Sequence, residues 1–499
     1  MRHLNLYDLF GRNAALYGNR PALVDEKGTL NFKDLRQRVA RTAAALKHQG
    51  IQPGDRVAVL AFNSRRYIYL LGAAARLGAI LVPLNWRLSE EELLFILKDA
   101  QPGLLFYDPP HAPVATQLAQ SCEQSMEAVD LETMVTTTGD LATQAGEDLD
   151  IPADGDTPFC IIYTAAMGGT PRGAVLSHAN FIFSNLQTIA TLHLNHGDTY
   201  LNMLPLFHIT GLNLALSVMH AGGQNAIIER FNAQQVLQWT EEAHISVLGS
   251  FPPILSNLME ELDRHPRDMS SLRHVLGLDH PDTIAAFEKR TASTFWTLYG
   301  QTETSGFVTL APVGDKPGSA GRQGLLTKFR LVDDDDQDVA PGDQGEIVVQ
   351  GPLVFHGFWQ HEELNRELFR NGWHHTGDLG HLDEEGFLWF GGRKPEKELI
   401  KPGGENVYPA EVEAVIQTHE AVVEVAVIGV PDPKFGEGIK AVCVLEGGPS
   451  LTAEDLAAFV AARIASYKKP RYVEFVAELP KTADGAIDRA QVKALYGQS

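Results

Sequence analysis

Apolar positions in the first half of the chain fall into short continuous runs, separated by segments with helical spacing. Residues 56–60 (RVAVL) and 79–83 (AILVP) are almost wholly apolar, the pattern of strands covered on both faces. Residues 67–77 between them read as a helix. Ser89 followed by Glu90, Glu91 and Glu92 is a capping box, in which the hydroxyl and the third-position carboxylate satisfy free amides at a helix start. Leu93, Leu94, Ile96 and Leu97 then supply its apolar face. Strand and helix alternating in this way predict α/β layers around a largely parallel sheet.

Two polar segments break the pattern. Residues 145–157 are acidic, carry Pro and Gly, and precede an apolar strand at 159–163. Residues 333–337 (DDDDQ) lie in a turn that ends at Pro341-Gly342. Four aspartates could hold a metal, but consecutive side chains on a strand point to opposite faces, so the segment reads as a solvated hairpin turn. A further boundary falls at 391–395 (GGRKP). Beyond it, 422–430 and 441–445 read as strands and 453–466 as a helix opened by Thr452, enough for a small α+β domain on a Gly/Pro hinge.

A length of 499 residues implies roughly three domain-sized units and a large core that needs no disulfide or metal staple. The balance of 41 Lys+Arg against 63 Asp+Glu leaves a net charge of −22, which repels phosphodiester backbones and argues against nucleic-acid binding. Cys122, Cys160 and Cys443 form no CxxC pair, consistent with a reducing compartment. The N-terminus lacks a signal-peptide apolar region, and the most apolar stretch, 70–84, contains Arg76 and is shorter than the ~20 residues of a membrane span. A cytoplasmic location is the expectation.

Five stretches carry candidate chemistry. From Phe159 an apolar strand runs into a Gly-rich turn and then a helix near Ser177-His178; amides in such a turn can cradle phosphate, with Arg172 adding charge. Tyr299-Gly-Gln-Thr302-Glu303-Thr304 sets a hydroxyl beside a carboxylate, oxygen ligands suited to Mg²⁺. In Trp373-His-His-Thr376-Gly377-Asp378 the aspartate can accept two ribose hydroxyls, while His374 and His375 diverge on a strand and do not form a metal pair. Residues 392–413 combine alternating basic residues, the pair Gly403-Gly404 and an acidic helix start. Residues 479–489 form a polar loop near the C-terminus. Singly, each also reads as a structural turn, a cap or a charged hairpin.

In this order the motifs resemble the adenylate-forming superfamily of acyl-CoA synthetases, peptide-synthetase adenylation domains and beetle luciferases. The resemblance spans essentially the whole chain. Pro205–Gly211 keeps PLFHxxG, Tyr299–Glu303 keeps YGxTE, Gly345–Pro352 keeps GEIxxxGP, Thr376–Asp378 keeps TGD, and Gly403–Glu413 reads GGENVYPAEVE. Val430-Pro-Asp432, Gly436-Glu437 and Tyr467–Pro470 are further shared features. The resemblance implies an α/β fold: a large N-terminal domain of several subdomains with layered, mostly parallel sheets (1–392), a hinge (393–397) and a small mobile α+β lid domain (398–499). It implies ATP, Mg²⁺ and coenzyme A as co-substrates. A carboxylic acid is joined to AMP with loss of pyrophosphate, and a thiol then displaces AMP.

The roles it implies are specific. Thr164, Gly168, Gly169 and Arg172 face the phosphates; Gly277, Leu298, Tyr299 and Gly300 surround the nucleotide; Thr302 touches the α-phosphate and Glu303 holds Mg²⁺. Asp378 binds ribose with Arg393 assisting, His208 guards the junction of acyl group and CoA, and Lys397 lies at the hinge. Lys401, Gly403, Gly404 and Lys434 belong to the nucleotide and CoA side, and Phe207, Leu212, Gly300 and Phe307 to the acyl pocket. In acetate-specific members a Trp floors the pocket near Gly300, so a glycine there implies a medium or long fatty acid, or an aryl or alicyclic acid. A homodimer is the one further partner the resemblance admits.

Three departures qualify this. Ala165, Ala166, Met167 and Gly168 replace Ser-Gly-Thr-Thr in the phosphate loop, and Arg172 replaces its Lys. The adenine loop, elsewhere Gly-Gly-Ala-Pro, reads Gly277-Leu278-Asp279-His280-Pro281. Ala486 stands where the family has the lysine that bridges the substrate carboxylate and the α-phosphate, inside an otherwise preserved motif. Impaired adenylation is therefore expected. A ligase loading a carrier protein in trans and a non-catalytic acyl or nucleotide sensor stay open beside the acyl-CoA ligase.

Overall fold

The computed structural model describes residues 4–122, 126–136, 154–164, 171–394, 398–446, 451–482 and 485–498. Gly168, Gly169 and Lys397, with most of the acidic segment before 154, lie outside the described residues.

The strand at Arg56–Leu60 stands where its apolar run predicts, and the next at Ile80–Pro83. The helix between them, Arg65–Leu77, starts two residues earlier than its pattern suggests, because Ser64 accepts from the Tyr67 amide as its cap. The capping box forms at Ser89, opening the helix Glu90–Ala100. These strands belong to a six-stranded sheet ordered 127–130, 104–107, 56–60, 80–83, 158–164, 172–177. Its neighbours are parallel except for the last pair. A nine-stranded sheet runs 322–323, 306–312, 294–301, 274–277, 247–250, 199–202, 224–227, 21–25, 28–31, with a parallel centre and antiparallel edges. The large core lies around these sheets and seals Phe10, Phe32, Phe106, Phe159, Phe181 and Tyr200 from water.

One expectation needs correction. The Gly-rich turn after 158–164 does not lead straight into a helix. It is left by a second strand, Arg172–Ser177, paired antiparallel with the first, and the helix begins only at His178, capped by Ser177. The Gly-Ala-Val-Leu run after Arg172 has the buried β pattern that explains this. The third sheet, over 328–393, is wholly antiparallel and stands beside the two mostly parallel sheets of the large domain.

The DDDDQ segment is a hairpin turn between Lys328–Val332 and Gly345–Gln350. Asp333 accepts amides of Asp335 and Gln337, Asp334 meets Lys394, and Asp336 meets Arg370 and Asn371. Among the described residues no cluster of metal-ligating side chains occurs, and no helix is long and apolar enough to cross a membrane.

The last sheet joins Val422–Asp432, Gly436–Leu445 and Tyr472–Val476. Thr452 caps the helix Ala453–Ala461 as predicted, but the helix ends five residues before 466. Beyond it, the Ala465 amide donates to Glu92, outside this sheet. Phe159 packs against Phe181 and His178 at 0 % exposure. Phe159→Ala should cost about 3–5 kcal/mol, read as a lowered urea midpoint.

Candidate active site

Strand Thr294–Gln301 runs into the short turn Thr302–Thr304, and the space between this turn and the strands carrying Asp378 and Arg393 is the candidate groove. The Gln301 amide donates to Thr304 Oγ1 at 2.9 Å, and the Glu303 carbonyl accepts from Phe355 N at 2.8 Å. These bonds hold Thr302 and Glu303 at the mouth of the groove, both partly exposed. Across it, the pair Asp378 and Arg393 stand opposite each other on adjacent antiparallel strands. Asp378 is 3 % exposed and accepts from Tyr299 Oη at 2.9 Å and Gln301 Nε2 at 2.5 Å, with Arg393 Nε at 3.9 Å. The Gly377 amide donates to Glu346 at 2.9 Å, which fixes the turn carrying Asp378. Burial opposes ionisation of Glu346, but His375, Lys394 and that amide outweigh it and hold its carboxyl at about 2. For Tyr299, burial and then Asp378 push the phenol well above its ordinary value, so it stays a donor.

The C-terminal segment completes the groove. Tyr408 lies in the field of Glu303, Arg172, Asp378 and Arg393, and burial first, then Glu303, raises its phenol. Gly403 and Gly404 adopt φ of +59° and +88°. A Cβ on Gly403 would stand 2.9 Å from the Pro252 carbonyl, and one on Gly404 3.2 Å from the Phe251 ring. Only glycine brings this turn so close to 251–252. Glu405 follows at 8 % exposure, paired with Arg87 and, at 2.9 Å, with His208 Nε2. Burial raises the Glu405 carboxyl, but His208 and then Arg87 outweigh that and hold it at about 2.

Other predicted residues are spread around this centre. Thr164 pairs with Arg172 at the end of the hairpin. Gly277 ends a strand beside Ser250, and Leu298 is buried just before Tyr299. The Lys401 amide donates to Glu437 at 2.7 Å. Lys434 sits in the Asp432-capped turn whose Phe435 carbonyl accepts from Gly403 N at 3.0 Å. Phe207 and His208 line a cavity with Pro83, Asn85, Leu88, Ile96 and Tyr163, whereas Leu212 and Phe307 pack in the main core. Ala486 is exposed, in a turn where its carbonyl accepts from Thr482 N at 2.8 Å.

The glycine at 300 has a backbone cause. A Cβ there would lie 1.9 Å from the Gly306 carbonyl across the antiparallel pair. Its bare position follows from strand pairing and is no measure of acyl-pocket volume. Sequence reasoning also assigned no role to Gln301, Glu405 or Arg87. Gln301 and Glu405 lay inside quoted motifs, while Arg87 carries no local signal.

The model for AMP-binding enzymes matches residues 10–359, and that for the AMP-binding enzyme C-terminal domain matches 411–486. The chain belongs to the AMP-binding enzyme family. It is an AMP-forming acid–thiol ligase. It is 34% identical to a feruloyl-CoA synthase of an Amycolatopsis species, over 100% of each chain. It is 33% identical to an indoleacetate–CoA ligase of Aromatoleum aromaticum, over 99% of each. Among solved structures, a double variant of the o-succinylbenzoate CoA synthetase of Bacillus subtilis bound with its product analogue OSB-NCoA gives a TM-score of 0.86, at 29% identity over 99% of this chain and 98% of that one. The same enzyme with the acyl-adenylate OSB-AMP gives 0.71 at the same identity and coverage.

The folded Glu405 carboxyl lies at about 2 against an ordinary 4.5. Its contribution to stability is therefore complete above pH 4.5 and is lost as pH falls toward 2. Urea midpoints measured from pH 6 to 2.5 should fall less steeply for Glu405→Gln than for the parent chain; parallel curves would refute this.

Proposed function

We propose that this chain converts a carboxylic acid and ATP to an acyl-adenylate, and then transfers the acyl group to the thiol of coenzyme A. The observation that carries this is the convergence of Glu303 and Asp378 from the large domain and Arg393 from the hinge on Tyr408 of the C-terminal segment, whose Glu405 pairs with His208. Asp378, oriented by Tyr299 and Gln301, accepts the ribose hydroxyls, and Arg393 lies beside it. Thr302 and Arg172 bind the α-phosphate side. The hydroxyl of Thr302 and the carboxylate of Glu303 form an oxygen donor set that fits Mg²⁺. When bound, Mg²⁺ would offset charge as carboxylate and phosphate approach.

The two TM-scores bear on which step this arrangement serves. Identity and coverage are equal in the two comparisons, and the score is higher for the complex with the CoA-product analogue. The arrangement here resembles that of the CoA-product analogue complex. This favours thioester formation, with the His208–Glu405 pair on the side where the thiol would enter. Ala486 on an exposed turn accords with a position whose work belongs to the other step.

The acid we infer is a medium or long fatty acid or an aryl or alicyclic acid. Relatives named for ferulate, indoleacetate and succinylbenzoate favour the aryl class. Transfer to a carrier protein in trans is the second reading, favoured by one relative named a fatty acid–acyl-carrier-protein ligase.

Pyrophosphate release with ATP, Mg²⁺, CoA and a panel of C2 to C16 and aryl acids tests the assignment. A positioned cation on a developing oxyanion is worth on the order of 100-fold in rate, so Ala486→Lys should raise release by about that factor with the preferred acid. Equal, negligible release by both proteins across the panel would refute it. In the Ala486→Lys background, Asp378→Ala should weaken ATP binding and Glu303→Gln should lower the rate at saturating ATP, both read by the same assay. A rate that Glu303→Gln leaves unchanged would overturn the metal assignment.

A further inference from the structure

A second buried ionic cluster joins the large domain to the C-terminal segment away from the groove. Lys468 is only 2 % exposed. Its Nζ lies 2.5 Å from Glu92 Oε1 and 2.6 Å from Glu411 Oε2. Glu92 Oε2 accepts from Ser89 N at 2.7 Å and from Ala465 N at 3.1 Å, and Glu411 Oε1 accepts from Tyr408 N at 2.9 Å. Every carboxylate oxygen is therefore satisfied, by an ammonium or by a backbone amide.

The cluster is tied to the reaction site at both ends. On the large domain, Glu92 lies five positions after Arg87. On the C-terminal side, Glu411 lies six positions after Glu405, with Tyr408 between them. The segments 87–92 and 405–411 thus meet at two points: Arg87 with Glu405 beside His208, and Glu92 with Glu411 through Lys468. Tyr467 lies in the field of Glu405, Glu92 and Glu411 together, so the two points are close. Two carboxylates sharing one ammonium out of water are held only while the ammonium is present, because removing it leaves uncompensated buried charge. The cluster also exists only while the large domain and the C-terminal segment are docked as here, since Glu92 belongs to one and Lys468 and Glu411 to the other.

We infer that Lys468 is a positioning residue for thioester formation: clamped between Glu92 and Glu411, it fixes the segment 405–411 so that Glu405 and Tyr408 enter the groove. Lys468 touches no reactant in this account. Its influence passes through Glu411 and the Tyr408 amide to Glu405. The acyl-transfer step depends on it and the adenylation step does not. This rests on the two-step reading above.

The test separates the steps. Glu92→Gln is the informative variant, because glutamine at the third helical position keeps the capping box and removes only the charge. Thioester formation is measured from a chemically supplied aryl acyl-adenylate and CoA, and pyrophosphate release in the Ala486→Lys background. Glu92→Gln and Lys468→Met should each lower kcat for thioester formation by about tenfold or more, with the KM for CoA and pyrophosphate release within twofold of the parent. The double variant should be no slower than Lys468→Met alone. Unchanged thioester rates, equal losses in both steps, or additive losses would each overturn the proposal. If the parent chain makes no thioester from the adenylate, the two-step reading fails, and amide hydrogen exchange decides the clamp by itself. Exchange at Val407 and Tyr408 should then rise about tenfold in Glu92→Gln, and unchanged exchange there would overturn it.

Discussion

A carboxylate buried where two parts of a chain meet must find its cation on the other side. Glu405 is in that position, and most of the site's geometry depends on it. Its partners, Arg87 and His208, come from loops more than three hundred and nearly two hundred residues earlier in the sequence. Docking them removes a negative charge from water, and that cost is offset only if the Arg87 guanidinium and the His208 ring are both present and aimed. The glycines at 403 and 404 serve the same contact, since a side chain on either would hold the backbone away from Phe251 and Pro252. The docked turn in turn delivers Tyr408 to the field of Glu303 and Asp378.

The groove itself follows from sheet topology. The parallel centre of the nine-stranded sheet places the ends of 247–250, 274–277 and 294–301 side by side, the usual place for a ligand in an open α/β sheet. The antiparallel sheet over 328–393 supplies the facing wall, with Asp378 and Arg393 on paired strands. Charge is handled locally: Glu346 is surrounded by His375, Lys394 and an amide, which keeps the aspartate turn rigid without spending Asp378 on structure. The Asp-rich turn at 333–336 is consumed in the same way, by its own amides and by Lys394, Arg370 and Asn371.

Much of the fold was legible because the signals are local. An apolar run such as 57–60 can satisfy burial on both faces only as an interior strand, and Ser89 with Glu92 can satisfy its amides only as a helix start. The family motifs were legible for a related reason, since backbone turns and oxygen ligands need particular residues at fixed spacing. Other features had no local signal. The helix expected to reach 466 stops at Ala461, and beyond it the Ala465 amide meets a glutamate nearly four hundred residues away. The bare position at Gly300 looked like room for substrate, yet the Gly306 carbonyl across the sheet accounts for it.

The sequence by itself determined most of the element types, the α/β class and the family motifs. Those depend on periodicity, capping and residue chemistry, which a linear chain displays. Only the tertiary structure decided which charges meet: Glu405 with Arg87 and His208, Lys468 with Glu92 and Glu411, and Asp378 with Tyr299 and Gln301. Ion pairs and hydrogen bonds act over a few ångströms, and what lies within that range is fixed by packing of distant segments, which no local pattern records.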